Sequence, residues 1–341
     1  MKTLLVTGAA GFIGCNFVRL ALRSNYNVIG FDALTYAGHK ENLEALPTGK
    51  FQLVIGDIRD AKAVAKLFAD HKPHAILNFA AESHVDRSIE DPLVFVETNV
   101  VGTANLLHHS LKYWQELTEP EKKNFRYLQV STDEVYGSLG ETGKFSEATP
   151  VDPSSPYSAS KTGADHLVKA WQHTYGLPAI TTRCSNNYGP YQYPEKLIPH
   201  MIHCALEGKA LPVYGDGKNV RDWIHVEDHC AGILAALERG ESGHVYNLGG
   251  SAERKNIDLV KTLCKELDQL RPRADKKSYS EQISFVKDRL GHDLRYAIDD
   301  SFAKQKIGFT RKHDFETGLR ATIEWYLSHE KWRSTVLKGK K

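Results

Sequence analysis

A doubly wound parallel α/β sheet is the fold that the sequence predicts, on three observations. Short β-rich runs alternate with longer helical patterns over about the first 180 residues. The runs are continuously apolar rather than alternating, which suits strands covered on both faces. A glycine-rich turn, "VTGAAGFIG", stands between the first run and the first helix.

The strands are "TLLVT" (3–7), "NVIGF" (27–31), "FQLVI" (51–55), "AILNF" (75–79), "YLQVS" (127–131) and "AITTR" (179–183). Helical stretches fall between them, such as 12–23 and 61–70, giving a doubly wound Rossmann sheet. A helix is expected after Asp91-Pro92, with Asp as N-cap and proline at its first position. It carries apolar residues nearly all round, among them Leu93, Val94, Phe95, Val100, Val101, Leu106, Leu107, Leu111 and Trp114. Such a helix packs on the sheet and on something else, and a subunit partner is the expected second surface.

After residue 184 the pattern turns to loops rich in Gly, Pro, Tyr and Asn, then short helices and strands. The chain therefore divides into residues 1–183 with about 220–250, the cofactor-binding Rossmann domain, and 184–219 with 251–341. The second part is a smaller α/β substrate-binding domain over the sheet's C-terminal edge.

Composition narrows the class. With 341 residues, 41% apolar and 25% charged, the chain suits a soluble enzyme-sized fold. A net charge of +2 without a basic stripe speaks against nucleic acid, and the terminal "KGKK" reads as a solvated end. Five scattered cysteines lack metal-ligand spacing, so no metal is expected; they read as buried thiols in a reducing compartment. The first strand starts within three residues, leaving no apolar leader, and no apolar run approaches the about 18 residues of a membrane span. The expected location is cytoplasmic.

The glycine turn points to a dinucleotide. Gly8, Gly11 and Gly14 let the backbone approach a pyrophosphate at a helix N-terminus. Asp32 closes the second strand, where its carboxylate can accept from a ribose 2′-hydroxyl and repel a 2′-phosphate. NAD is preferred over NADP. Asp57, in "GDI", stands where an adenine edge could be read, and Ala80 and Ala81 are small enough to lie against the cofactor.

Tyr157 and Lys161 share a helical face at i, i+4. A neighbouring ammonium favours phenolate, so Lys161 is expected to lower the Tyr157 pKa toward neutrality. Such a tyrosine can take a hydroxyl proton as hydride leaves the same carbon. Asp133 and Glu134 follow the fifth strand in "STDEVYG", where two negative charges near a core are costly.

With these motifs the chain resembles the extended short-chain dehydrogenase/reductases, and within them the family of dTDP-glucose 4,6-dehydratases. "DALTYAG" (32–38), "AAESHVDRSI" (80–89), "STDEVYG", "SSPYSASK", "CSNNYGPYQYPEKLIP" (184–199) and "NVRDW" (219–223) carry the resemblance, with "STDEVYG" the most specific. It implies an NAD-dependent lyase of deoxysugar biosynthesis that acts on a nucleoside diphosphate sugar, and a homodimer. Thr132 would hydrogen-bond the C4 oxygen, Tyr157 and Lys161 would handle oxidation at C4, Glu134 would be the base at C5 and Asp133 the acid at the C6 hydroxyl. One protonated and one ionised carboxylate is the state this elimination requires.

The resemblance also assigns binding residues. Phe12, Ile13, Leu34, Thr35, Ile58, Ser83, Thr98 and Asn187 would join the glycine turn, Asp32 and Asp57 at the cofactor. His84, Asn186, Lys196, Leu197, Pro212 and Tyr214 would meet the nucleotide sugar, as would Arg221, Asn256, Arg289 and His292. Other readings stay open for three of these: a surface or inter-domain ion pair for Arg221, a helix cap for Asn256, an ordinary loop histidine for His84. In "DRLGHDLRY" (288–296) the family's proline is Leu290 here, Cys15 replaces a frequent serine, and the 137–150 loop is short. A nucleotide-sugar 4-epimerase or decarboxylase would use the same scaffold but leave Asp133–Glu134 unexplained. A non-catalytic NAD-binding regulator would leave the intact catalytic set unexplained.

Overall fold

The computed structural model describes residues 1–289 and 291–338; Leu290 and the terminal 339–341, which include most of "KGKK", lie outside the described residues. Six strands follow the sequence pattern closely: β1 (Thr3–Thr7), β2 (Asn27–Asp32), β3 (Phe51–Ile55), β4 (Ala75–Asn78), β5 (Arg126–Thr132) and β6 (Ala179–Cys184). A further strand, Val245–Leu248, completes a sheet ordered Val245–Leu248, β6, β5, β4, β1, β2, β3, with every neighbouring pair parallel. The chain winds outward from β1 in one direction, then from β4 in the other. The crevice between the C-terminal ends of β1 and β4 is thus the switch point where such sheets bind ligands.

The two faces explain the unbroken apolar runs. In β1, Leu4 and Val6 join one core while Leu5 joins the other, because successive side chains point to opposite faces. The first core lies under α1 (Phe12–Arg23) and helix Val226–Arg239; the second lies under α2 (Ala61–His71), helix Thr103–Glu116 and helix Pro156–Tyr175. Between the faces a buried polar ladder fixes register. Thr7 donates to Asn78 at 2.6 Å, and Asn78 donates to Gln129 at 2.9 Å.

The helix expected after Pro92 is not regular. It runs as Pro92–Phe95, a π-helical stretch Val96–Gly102, and Thr103–Glu116. The wider turn shifts the apolar faces out of α-helical register. Phe95 is buried, whereas Leu93, Val96 and Val101 are 70%, 44% and 53% exposed.

Beyond β6 the chain builds a second core over the sheet's C-terminal edge. Strand Val220–His225 pairs with Asn186–Tyr188 and Glu253–Lys255, and Leu211–Tyr214 pairs with Ile283–Val286. Helices Leu197–Leu206, Asn256–Leu270, Phe315–Ser328 and Glu330–Lys338 pack around Met201, Leu263, Leu319 and Trp332. The five cysteines are free and buried.

Candidate active site

One cleft of about 920 Å³ opens between the sheet edge and the second core. Its floor begins at the glycine turn. Gly8 has φ +64° and lies so close to the β4 end that a Cβ would stand 2.7 Å from the Ala80 nitrogen. A Cβ on Gly14 would stand 2.1 Å from the Gly8 carbonyl, so α1 could not pack here with any larger residue. Gly11 offers no side chain to cap α1, and Phe12, Ile13 and Gly14 of its first turn, whose N–H groups have no intrahelical acceptor, line the cleft. This is a cradle suited to a pyrophosphate.

Asp32 ends β2 beside that cradle. Its two carboxylate oxygens accept from the backbone N–H groups of Ala10 and Leu34, each at 2.8 Å. Burial raises its pKa and those two donors oppose the rise. Each oxygen keeps a lone pair for a hydroxyl donor. Leu34 has φ +52° and packs against Ala10, Cys15 and Leu43. The carboxylate of Asp57 is held by the Arg59 guanidinium at 2.7–3.1 Å, which keeps its pKa low against burial. Thr35, Ile58, Ala80, Ala81, Ser83, Thr98 and Asn187 line the same half of the cleft with Phe12 and Ile13.

The other half holds the reactive groups. Thr132 closes β5 and caps the 3₁₀ turn Asp133–Tyr136, accepting from the Glu134 N–H at 3.2 Å. Thr132 pairs in register with Cys184, so Asp133 emerges beside Ser185, whose hydroxyl donates to Asp222 at 2.5 Å. Asp133 is 2% exposed, and its pKa is driven well above the usual carboxylate range by burial, then by the negative charges of Glu134 and Asp222. Glu134 is also raised by burial, but the cations Lys196 and Arg221 pull it back. Adjacent in sequence, the two carboxyls have unequal surroundings: negative neighbours weigh more on Asp133 and cations more on Glu134, with Arg221 acting on both.

Tyr157 and Lys161 come from the start of helix Pro156–Tyr175, where Ser155 and Ser158 form a reciprocal cap. Both side chains are buried against the cleft. The expected lowering of the phenol pKa is not found. Burial and then the Glu134 charge push Tyr157 well up, while a hydrogen bond with Thr132 opposes them. The Lys161 ammonium is drawn instead to the Val130 carbonyl at 2.8 Å, and burial lowers its pKa.

Toward the cleft mouth, Arg221 stacks on the Tyr296 ring at 4.2 Å and donates to the Asp293 carbonyl at 3.0 Å. Arg289 forks onto Asp86 at 2.5 and 3.0 Å, joining the two sides of the cleft. Lys196 donates to the Ser83 carbonyl at 2.7 Å. Burial first, then Lys196, lowers the His84 pKa to about 4, so this histidine is neutral. His292 meets Asp288 at 2.7 Å beside Tyr214. Asn256 does not cap its helix: Lys255 holds that position, and the buried Asn256 Oδ1 has no protein partner among the described residues. The Asn186 Oδ1 and His84 Nδ1 are in the same state. Buried polar atoms left open along a cleft are what a polar ligand would satisfy. Leu197 and Pro212 complete this half.

Sequence reasoning missed Asp293 and Tyr296, whose phenol hydrogen-bonds Asp293 beneath Arg221. They belong to "DRLGHDLRY", a stretch that carries the family pattern without singling out these two positions. Asp222 was also missed, although it adjoins Arg221 in "NVRDW".

Residues 5–322 match the family described as GDP-mannose 4,6 dehydratase. A dTDP-glucose 4,6-dehydratase of Xanthomonas campestris pv. campestris (strain B100) is 55% identical over 340 residues, covering 99% of this chain and 97% of that protein. The dTDP-glucose 4,6-dehydratase DesIV of Streptomyces venezuelae, solved with NAD bound, superposes with a TM-score of 0.90 at 43% identity, covering 98% and 100% of the two chains. A UDP-glucose 4-epimerase of Thermotoga maritima superposes with a TM-score of 0.85 at 27% identity, over 96% and 99%.

Proposed function

We propose, as this chain belongs to the dTDP-glucose 4,6-dehydratase family, that its cleft converts dTDP-glucose to dTDP-4-keto-6-deoxyglucose and water. The observation that carries the reading is the unequal surroundings of Asp133 and Glu134, buried side by side in the cleft. Two carboxyls whose environments push their proton affinities apart identify an acid and a base. A 4-epimerase shares the fold but gives this pair no task.

The glycine cradle and Asp32 would hold NAD, which would supply a hydride acceptor for sugar C4 and a hydride donor for C6. Tyr157 takes the C4 hydroxyl proton, with Thr132 on the same oxygen. Burial and the Glu134 charge favour the protonated phenol, and Lys161 is bonded to the Val130 carbonyl, so base action at Tyr157 would need the positive charge that oxidised NAD would bring to the cleft. The C4 ketone makes the C5 proton acidic. Glu134 removes that proton, Asp133 gives its own to the C6 hydroxyl, the C6–O bond breaks, and water leaves as C5 and C6 become doubly bonded. Glu134 later returns a proton to C5. Arg221 and Arg289 suit the diphosphate, because guanidinium forks match its oxygens, and the Lys196 ammonium adds a compact positive charge.

The test is a mass spectrum. dTDP-glucose incubated with the enzyme should lose one water, and substrate deuterated at C4 should give product deuterated at C6 without crossover between molecules. An unchanged mass would favour the epimerase reading; label lost to the medium would mean an ordinary dehydrogenase.

The exposed Leu93, Val96 and Val101 also support a symmetric homodimer built on the helical run 92–116 and helix Pro156–Tyr175. Light scattering at micromolar concentration should report twice the chain mass. Free buried cysteines suit a reducing, cytoplasmic location. Among the described residues no helix is long and apolar enough to cross a membrane.

A further inference from the structure

The glycine turn is held from a distant part of the chain. Asn42 lies in the 3₁₀ turn Lys40–Leu43 and is 1% exposed. Its Nδ2 donates to the Ala10 carbonyl at 2.8 Å, and its Oδ1 accepts from the Trp332 indole N–H at 2.8 Å. The Ala10 N–H is already fixed on Asp32, and the His39 N–H shares the Ala10 carbonyl at 3.1 Å. Both backbone groups of Ala10, in the middle of the turn, are thus tied down. One tie is the residue expected to read the ribose; the other runs through Asn42 to helix Glu330–Lys338 in the second core.

Trp332 is itself clamped. Its ring meets Trp325 at 5.0 Å and Tyr191 at 5.9 Å. Tyr191 sits in the segment that crosses α1, where Asn16 donates to the Pro190 carbonyl at 3.0 Å and Arg19 lies 4.3 Å over the Tyr191 ring. A buried amide cannot drop one partner at no cost. Without the indole N–H, the Asn42 Oδ1 is an unsatisfied acceptor, and the side chain must turn or admit water.

We infer that the Trp332–Asn42–Ala10 relay is a latch by which the C-terminal helix keeps the glycine turn closed on NAD, making Trp332 and Asn42 positioning residues for cofactor retention. The inference rests on the reading of the glycine turn as the NAD cradle. It has a chemical purpose in that reaction. A cofactor that is reduced and reoxidised within one turnover must not leave between the two halves, because its escape would strand a 4-keto sugar.

The experiment follows the exchange of bound NAD for radiolabelled NAD in the full-length protein. Trp332→Phe keeps an aromatic ring in the Trp325–Tyr191 stack and removes only the donor, and should speed exchange about tenfold, the scale of one buried hydrogen bond. Asn42→Ala should do at least as much. The double variant should be no faster than the faster single, since both cut one path. Trp325→Phe disturbs the same stack without touching the relay, and should exchange near the wild-type rate even if its melting temperature falls. Wild-type exchange rates in Trp332→Phe and Asn42→Ala, or increases that multiply in the double variant, would overturn the latch. If Trp332→Phe does not fold, Asn42→Ala against Trp325→Phe decides alone. A wild-type protein that retains no NAD would overturn the cofactor reading instead.

Discussion

Replacing Glu134 with glutamine is expected to lower product formation by about 10²–10⁴-fold, the range for loss of a positioned general base. Glutamine keeps the length and hydrogen-bonding outline of the side chain but cannot accept the C5 proton. Substrate binding should change little, because Lys196 and Arg221 remain tied to the Ser83 and Asp293 carbonyls. The pH profile should change as well. Burial raises the Glu134 pKa, with Lys196 and Arg221 opposing it, so the wild-type acid limb should fall above the range of an exposed glutamate. Activity is present above that pKa and is lost below it, as the base protonates. In the variant this limb should vanish from the residual rate. Near wild-type turnover, or an unshifted acid limb, would remove Glu134 from the role of base.

Asp133→Asn should also cost about 10²–10⁴-fold in activity, since an amide cannot donate a proton to the leaving hydroxyl. Its second expected effect is a gain in stability that grows with pH. The folded-state pKa of Asp133 lies well above its unfolded value of about 3.9. Between those two values the folded chain binds more protons than the unfolded chain, so wild-type stability falls as pH rises. Asparagine carries no such slope. The melting temperature of the variant minus that of the wild type should therefore increase from about pH 4 upward, reaching about 1–3 °C near neutrality. The amide oxygen of the variant can still accept the weak 3.4 Å bond that Thr132 gives to the Asp133 carboxyl, so packing should change little. A difference that is flat with pH would mean that Asp133 is already ionised and cannot be the acid.

Much of this molecule was legible in the chain because the relevant physics is local. The apolar runs 3–7 and 179–183 mark strands covered on both faces, as the structure shows, whereas 51–55 forms a strand at the sheet edge with Gln52 and Ile55 exposed. "VTGAAGFIG" encodes its own turn, since Gly8 needs a positive φ and Gly14 has no room for a Cβ. "STDEVYG" and "SSPYSASK" each bring their reactive residues together within five positions. The dTDP-glucose 4,6-dehydratase family could be named from such stretches because each forms one contiguous piece of the site.

What sequence alone could not decide is set by groups far apart in the chain that meet only at the sheet's C-terminal edge. Tyr157 and Lys161 do share a helical face, yet the ammonium goes to Val130 on β5 and the phenol answers to burial and Glu134. Asp133 and Glu134 look equivalent in a string of letters. They differ because Asp222 and the Glu134 charge act on Asp133, while Lys196 acts on Glu134 alone; Arg221 acts on both. The π-helical stretch at Val96–Gly102 breaks a periodicity that reads as one helix, and Asn42 meets Trp332 across 290 positions. Local pattern determines which elements form, through steric and apolar preferences a few residues long. Charge environment and buried hydrogen bonds depend on distance in space, and the tertiary fold alone determines which residues become neighbours.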